Sequence, residues 1–330
     1  MKKIGLKHID YLTDDFGIWQ HTKGPVIDRK HGYALDDAAR GLLLAIKFSD
    51  YEKAMTYINF MNEAIGDEAI INFYDSKKRP LGKPWSEDAL AEAYWALCTA
   101  VVNSFYPVAS EQIIQSMITR IKNFKTVRGR AYAILGASQI DFELTNHLAE
   151  SLSEDYEKNK LDGWQWAEDN LTYANAIIPL SFLCASEALK KPVLKLYGLE
   201  MLSFLNKESK HDGYPITIGN RGWYEKTGEK AIIDQQPIDA AYQVLANLKA
   251  WELTDNENYL EEAKIYFSWF WGNNILQEPL INIKNESCGD GLNLKRVDPN
   301  CGAESTICYL LAQEEIWPYL INYEEEYMKI

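Results

Sequence analysis

Tyr33-Ala34-Leu35-Asp36-Asp37-Ala38-Ala39-Arg40-Gly41-Leu42-Leu43-Leu44-Ala45-Ile46 puts an aromatic ring and two carboxylates at the head of a run of small and aliphatic residues. Read as a helix, the run is too apolar for one face to meet water, so it asks to be packed on both sides. The plan recurs. Further openings stand at Trp85–Asp88, Arg128–Arg130, Trp164–Asp169, Asp234–Asp239 and Asn300–Glu304. Each leads into an apolar run: Leu90–Val101, Ala131–Ile140, Ala176–Leu189, Ala240–Trp251 and Thr306–Leu311.

Between these runs lie amphipathic stretches. In Tyr51–Ile65, Ala54, Ile58, Met61 and Ala64 fall on one stripe. Ala109–Lys122, Glu143–Lys158, Lys190–Leu205 and Glu257–Trp271 read the same way. The inner openings recur at roughly 40 to 70 residues, in the range of helical arrays. Six inner and six outer helices predict an all-α fold, an (α/α)6 toroid, with the inner helix starts gathered at one mouth. No Pro-, Gly- or Ser-rich linker divides the chain, so residues 1–330 read as a single domain.

Finer expectations follow. Leu6–Leu12 reads as a short helix and Ile70–Tyr74 as a short strand, and a small β-hairpin is expected around Gly219-Asn220. The fourth inner helix is expected from about Asp169, so Pro179 should kink or restart it. Gly302–Gln313 is the sixth inner helix, and Trp317–Tyr327 is expected as its outer partner, shared with the first helix of the chain.

Composition narrows the function. Hydrophobic residues make up 47% of the chain, enough for a large core. The net charge of −14 argues against a nucleic-acid partner and against an anionic membrane surface. No apolar run is long enough to span a bilayer, and the N-terminus lacks an apolar signal core. The expected location is cytoplasmic. The five cysteines, Cys98, Cys184, Cys288, Cys301 and Cys308, form no CxxC pair and match no zinc spacing. They read as reduced, buried thiols. Neither metal nor cofactor is called for.

A mouth rich in acids and tryptophans suits carbohydrate. Glycoside cleavage needs one carboxylic acid to protonate the leaving oxygen and a second carboxylate to activate water or attack the anomeric carbon. Flat rings hold the C–H faces of a sugar, and polar groups hold its hydroxyls. Asp37 and Glu168 are the expected acid and base, with Asp290 a third central carboxylate. Trp19, Trp85, Trp164, Trp166 and Trp223 are the expected sugar platforms. His31, Tyr33, Asp36, Arg40, Glu87, Asp88, Tyr173, Asn175, Asp234, Gln235, Gln236 and Glu304 complete the expected binding set. Plainer roles compete: Asp36-Asp37 and Glu87-Asp88 could serve only the helix ends they open, and Asp290 only a turn. Walker A, GxGxxG, GxSxG and HExxH patterns are absent.

Several of these motifs, in order, resemble a bacterial six-hairpin glycosidase-like (α/α)6 family. They are Thr13–His21, His31–Arg40, Leu171-Thr172-Tyr173, Asp234–Ala240, Cys288-Gly289-Asp290-Gly291-Leu292 and Gly302–Thr306. Members of that family are often fused to, or encoded beside, family-4 glycosyltransferases and mannoside phosphorylases. The resemblance implies a helical toroid, a carbohydrate context and a glycosyltransferase as a partner. Three positions depart from it. Ala174 stands where the family tends to carry an aspartate. Glu87–Glu92 lacks the usual Gly-Arg pair. Asn300-Cys301-Gly302 replaces Asn-Gln-Gly.

The expected function is a glycoside hydrolase acting on an oligosaccharide, with mannosides among the candidates. The alternative is a non-catalytic carbohydrate-binding module or scaffold that serves a glycosyltransferase. An epimerase would want a histidine pair at the mouth. The last third of the chain has no histidine, and only His21 and His31 neighbour the mouth.

Overall fold

The structure, a computed structural model, describes residues 1–66, 69–82 and 84–327. Twelve helices are found among them: α1 Lys7–Leu12, α2 Leu35–Lys47, α3 Tyr51–Ala64, α4 Glu87–Val102, α5 Pro107–Ile121, α6 Val127–Ile140, α7 Phe142–Asn159, α8 Ile177–Leu189, α9 Pro192–Glu208, α10 Pro237–Thr254, α11 Glu257–Trp269 and α12 Ala303–Tyr327.

The even-numbered helices form the inner ring. α2 packs on α4, α4 on α6, α6 on α8, α8 on α10, α10 on α12, and α12 closes on α2. Each has its own outer helix: α3, α5, α7, α9 and α11 follow α2 to α10, and α1 lies against α12. This is the (α/α)6 toroid. Small residues let the inner helices approach closely. Ala38, Ala39, Ala91, Ala93, Ala96, Ala131 and Ala133 are all buried. At Gly136 of α6, a Cβ would meet the backbone of Trp95 in α4 at 2.9 Å.

Local signals set the helix starts. Ser86 caps α4, accepting from the amides of Asp88 and Ala89. Thr126 caps α6, Asp50 caps α3 and Asp141 caps α7. Proline occupies the first turn of α5, α9 and α10. The cap residue of α2 is Ala34, and both Asp36 and Asp37 sit in the first turn, where Asp36 accepts from the Asp37 amide at 3.1 Å.

Four expectations need correction. α8 begins at Ile177, not near Asp169, so Pro179 falls in its first turn, where the missing N–H is no loss. The residues from Trp317 onward continue α12 through Pro318 and are not a separate outer helix; α1 alone fills that place. No hairpin turns at Gly219-Asn220. Tyr224–Glu225 pairs instead with Asn170–Leu171, and a small hairpin forms between Lys210–His211 and Tyr214–Pro215. The strand expected at Ile70–Tyr74 shortens to Phe73–Tyr74, paired with Tyr33–Ala34. No described helix is long and apolar enough to cross a membrane.

Candidate active site

The inner helix starts converge on Arg40. It lies one turn into α2 and is 3% exposed. Its Nη1 donates to Asp37 at 2.9 Å. Its Nε stands 2.7 Å from Glu92 of α4. Its Nη2 reaches Asp36 at 3.3 Å and Glu304 of α12 at 3.2 Å. One guanidinium thus serves four carboxylates from three inner helices. That is more negative charge than a single cation can neutralise in a buried place, and part of the cluster holds protons. Burial, followed by Asp36, drives the Asp37 carboxyl well above the usual range. Burial pushes Glu92 up to about 8 and raises Glu304 against the pull of Arg40.

Above the cluster lies a cavity of about 430 Å³. Its floor and walls include Asp36, Arg40, Glu92, Glu304, Asp88 and Tyr132. Tyr173 and Trp223 stand at its edge with ring centres 6.2 Å apart. The Tyr173 hydroxyl donates to Asp88 at 2.6 Å, and the Arg128 guanidinium lies 4.7 Å from the Tyr173 ring centre. Trp223 holds φ +57°, a conformation that bulky residues rarely keep without compensation.

A second cavity, of about 410 Å³, adjoins the first through Asn220 and Gln236, which line both. Its other walls are Arg221, Asp234, Gln235, Asn293, Asp298 and the Asp290-Gly291-Leu292 turn. Asp290 accepts from the Gly302 amide at 2.5 Å and from the Ser305 hydroxyl at 2.8 Å. Burial raises its carboxyl despite those donors. Arg221 Nε donates to Asp234 at 2.9 Å. Gly291, at φ +156°, passes with its Cα side against the Gln235 carbonyl; a Cβ there would sit 2.4 Å from it.

The expected site residues therefore separate into groups. Asp36, Arg40, Asp88, Tyr173, Trp223, Gln236 and Glu304 line the central cavity, and Asp234, Gln235, Gln236 and Asp290 the second. Asp37, expected as a catalytic acid, lies behind Arg40 and lines neither cavity. Glu168, expected as its partner, is held by Arg128 at 2.7 Å and also lines neither. Asn175 is buried, accepting from Arg128 and donating to Asp239. Glu87 accepts from the amides of Lys125 and Thr126, tying α4 to the start of α6.

The tryptophans divide as well. Trp166 is fully buried and Trp164 nearly so, packed on Phe204. Neither can present a face to a sugar. Trp19 is buried between Tyr33, at 4.2 Å, and Arg29, at 5.2 Å. Tyr33 is buried too, donating to Asp14. Trp85 is exposed, near Phe124. His31 is exposed, its ring edge-on to His21 at 4.6 Å. Three contributors escaped the sequence reading: Glu92, Tyr132 and Asn220. Glu92 had a signal, one turn after Asp88 in an otherwise apolar helix. Asp239 is buried and raised to about 7, mainly by burial.

No protein-family model matches the chain, and no curated protein is similar to it in sequence. Solved structures are similar in fold. The cellobiose 2-epimerase of Bacillus thermoamylovorans superposes with a TM-score of 0.72 at 12% identity, covering 94% of each chain. A D-mannose isomerase gives 0.71 at 11% identity, over 95% of this chain and 96% of that one. The GH76 α-mannanase of Bacteroides thetaiotaomicron gives 0.62 at 10% identity, over 96% and 95%. The chain has the six-hairpin toroid these proteins share.

Proposed function

We propose that the chain is a carbohydrate-processing enzyme, a glycoside hydrolase in which Glu304 protonates the leaving oxygen and Asp36 is the second carboxylate. One observation carries this reading: both side chains open into the central cavity while contacting the same nitrogen of Arg40. About a third of each is exposed there, against 8% for Asp37. The raised carboxyl of Glu304 suits the proton donor of the pair. Asp36 then activates water or attacks the anomeric carbon, with Arg40 fixing both carboxylates. Tyr173 and Trp223 stack on the sugar.

The test is a panel of manno- and gluco-oligosaccharides incubated with the native protein, Glu304→Gln and Asp36→Asn. Hydrolysis is expected in the first and a loss of about a hundredfold or more in each variant. Full activity in both variants discards the assignment. The anomer first released, read by NMR, tells whether Asp36 acts on water or on carbon.

A second reading has its own observation. His21 and His31 form a close pair, and burial, then His31, lowers the His21 pKa, which favours the neutral ring. Asp290 and Asp36 are within its electrostatic reach. An imidazole held unprotonated favours proton abstraction from sugar carbon, as an epimerase or isomerase needs. The same panel run in D2O separates the readings. Deuterium at a sugar carbon without cleavage supports this one, and cleavage without carbon-bound deuterium supports hydrolysis.

A further inference from the structure

The second cavity has no part in the proton chemistry above, yet it opens directly beside it. Asn220 and Gln236 stand between the two spaces. Neither side-chain amide is hydrogen-bonded to any described residue, unlike Asn175, Asn206, Gln235 and Asn247, which are tied into the fold. A free amide offers one acceptor and two donors, which is what a pair of neighbouring hydroxyls requires. The lining is otherwise mostly polar, with no aromatic ring to stack a sugar face.

Its charges point the same way. Asp234, Asp290 and Asp298 face the space, and the one arginine on its wall, Arg221, is engaged with Asp234. The central cavity repeats the pattern, with Asp36, Asp88, Glu92 and Glu304 beside Arg40 alone. An anionic group entering either space would find no cation among the lining residues that is not already paired with a carboxylate, and in the second cavity it would meet the carboxylates of Asp234 and Asp298. Like charges so placed disfavour binding strongly.

We infer that the second cavity is the binding site for the neighbouring unit of a neutral oligosaccharide, gripped through Asn220 and Gln236 and closed to uronate, phosphate or sulfate groups by its carboxylates. The inference rests on reading the central cavity as a sugar site. It adds chain length and charge class to that reading: at least a disaccharide, and one without acidic substituents.

Binding measured by calorimetry, independently of turnover, tests it on the Asp36→Asn variant, so that substrate survives the titration. The ligands are a neutral hexose, the matching disaccharide found active in the panel (or mannobiose if none is), and that disaccharide with its terminal unit oxidised to a uronic acid. The neutral disaccharide should bind about tenfold more tightly than the hexose, and the uronate at least tenfold more weakly than the neutral disaccharide. Asn220→Ala or Gln236→Ala, added to Asp36→Asn, should shrink the disaccharide advantage by roughly fivefold each, as one lost hydrogen bond implies. Adding Asp234→Asn, which releases Arg221, should recover part of the uronate binding. Hexose binding with no gain for the disaccharide overturns the inference and leaves the central site standing, as does a uronate that binds as well as its neutral parent. No binding by any sugar overturns both.

Discussion

Arg40 decides how the acids around it behave. Removing it leaves four carboxylates facing one another with no counter-charge. Arg40→Met should cost about 3–5 kcal/mol, the scale of a buried charge left unpaired, read as a fall in the urea midpoint at neutral pH. Arg40→Lys should rescue little, because an ammonium cannot span partners approached from Nε, Nη1 and Nη2 at once. Glu92 gives a pH signature. Its folded carboxyl, pushed up to about 8, binds a proton that the unfolded chain gives up at ordinary carboxylate pH. The folded state therefore holds more protons between about pH 4.5 and 8, and stability falls as pH rises through that window. Glu92→Gln should flatten that fall, seen as a smaller Tm difference between pH 5 and pH 9. Activity should decline on the alkaline side as Glu304 loses its proton, at a pH above the ordinary carboxylate range. These roles were only partly legible in the sequence. The acids at helix starts were visible, but whether Asp36 or Asp37 opens to the cavity depends on the turn of α2. That rotation is set by packing against α4 and α12, which no local pattern records.

Helices are joined here by single side chains as much as by broad faces. Glu87 of α4 accepts from two backbone amides and the hydroxyl of Thr126 at the head of α6. It does for the neighbouring helix what a cap residue does for its own. Glu87→Ala should cost about 1–3 kcal/mol, the penalty for stranding donors at a helix end, measured by chemical denaturation. Its effect on sugar binding should be small beside that of Glu304→Gln. Gly136 tests the closeness of α4 and α6. Gly136→Ala puts a methyl against the Trp95 backbone, so the gain in helix propensity should be outweighed and the protein should lose about 1–3 kcal/mol. At this scale the sequence reading was strong where a period or a cap was present. The outer helices fall within a few residues of their expected spans, and Ser86 marks α4. It failed where length decided. The Trp164–Asn175 segment reads as a helix opening but is spent on loop and a strand pair. Its tryptophans serve packing because the long crossing to α8 must be covered.

For the molecule as a whole, the ring is shut by its two ends in chain order. The amide of Ile4 donates to the Gln313 side chain at 2.9 Å, and that side chain donates back to the Ile4 carbonyl at 2.9 Å. Lys3 pairs with Glu314, and α1 lies where every other inner helix has its hairpin partner. Removing residues 1–12 should leave α12 uncovered on its outer side. Faster amide exchange in α12 than in α6, with a lower Tm, is the expected result; equal exchange in the two helices would show that the ring closes without that brace. The overall architecture was legible because six openings repeat in order. The brace was not, because a segment of six helical residues carries too little pattern to declare which distant helix it serves.

That closure also bears on how the protein comes into being. A ribosome delivers α1 ahead of its mate α12, with ten described helices in between. α1 must wait, its Ile9 and Leu12 unsheltered, until α12 has emerged. Five hairpins can stack as they appear, but the stack stays an open arc with a raw edge at each end. Cutting the gene between two hairpins and joining the old ends by a short linker would shift that waiting period elsewhere, and would show whether the order of emergence matters to the yield of soluble protein.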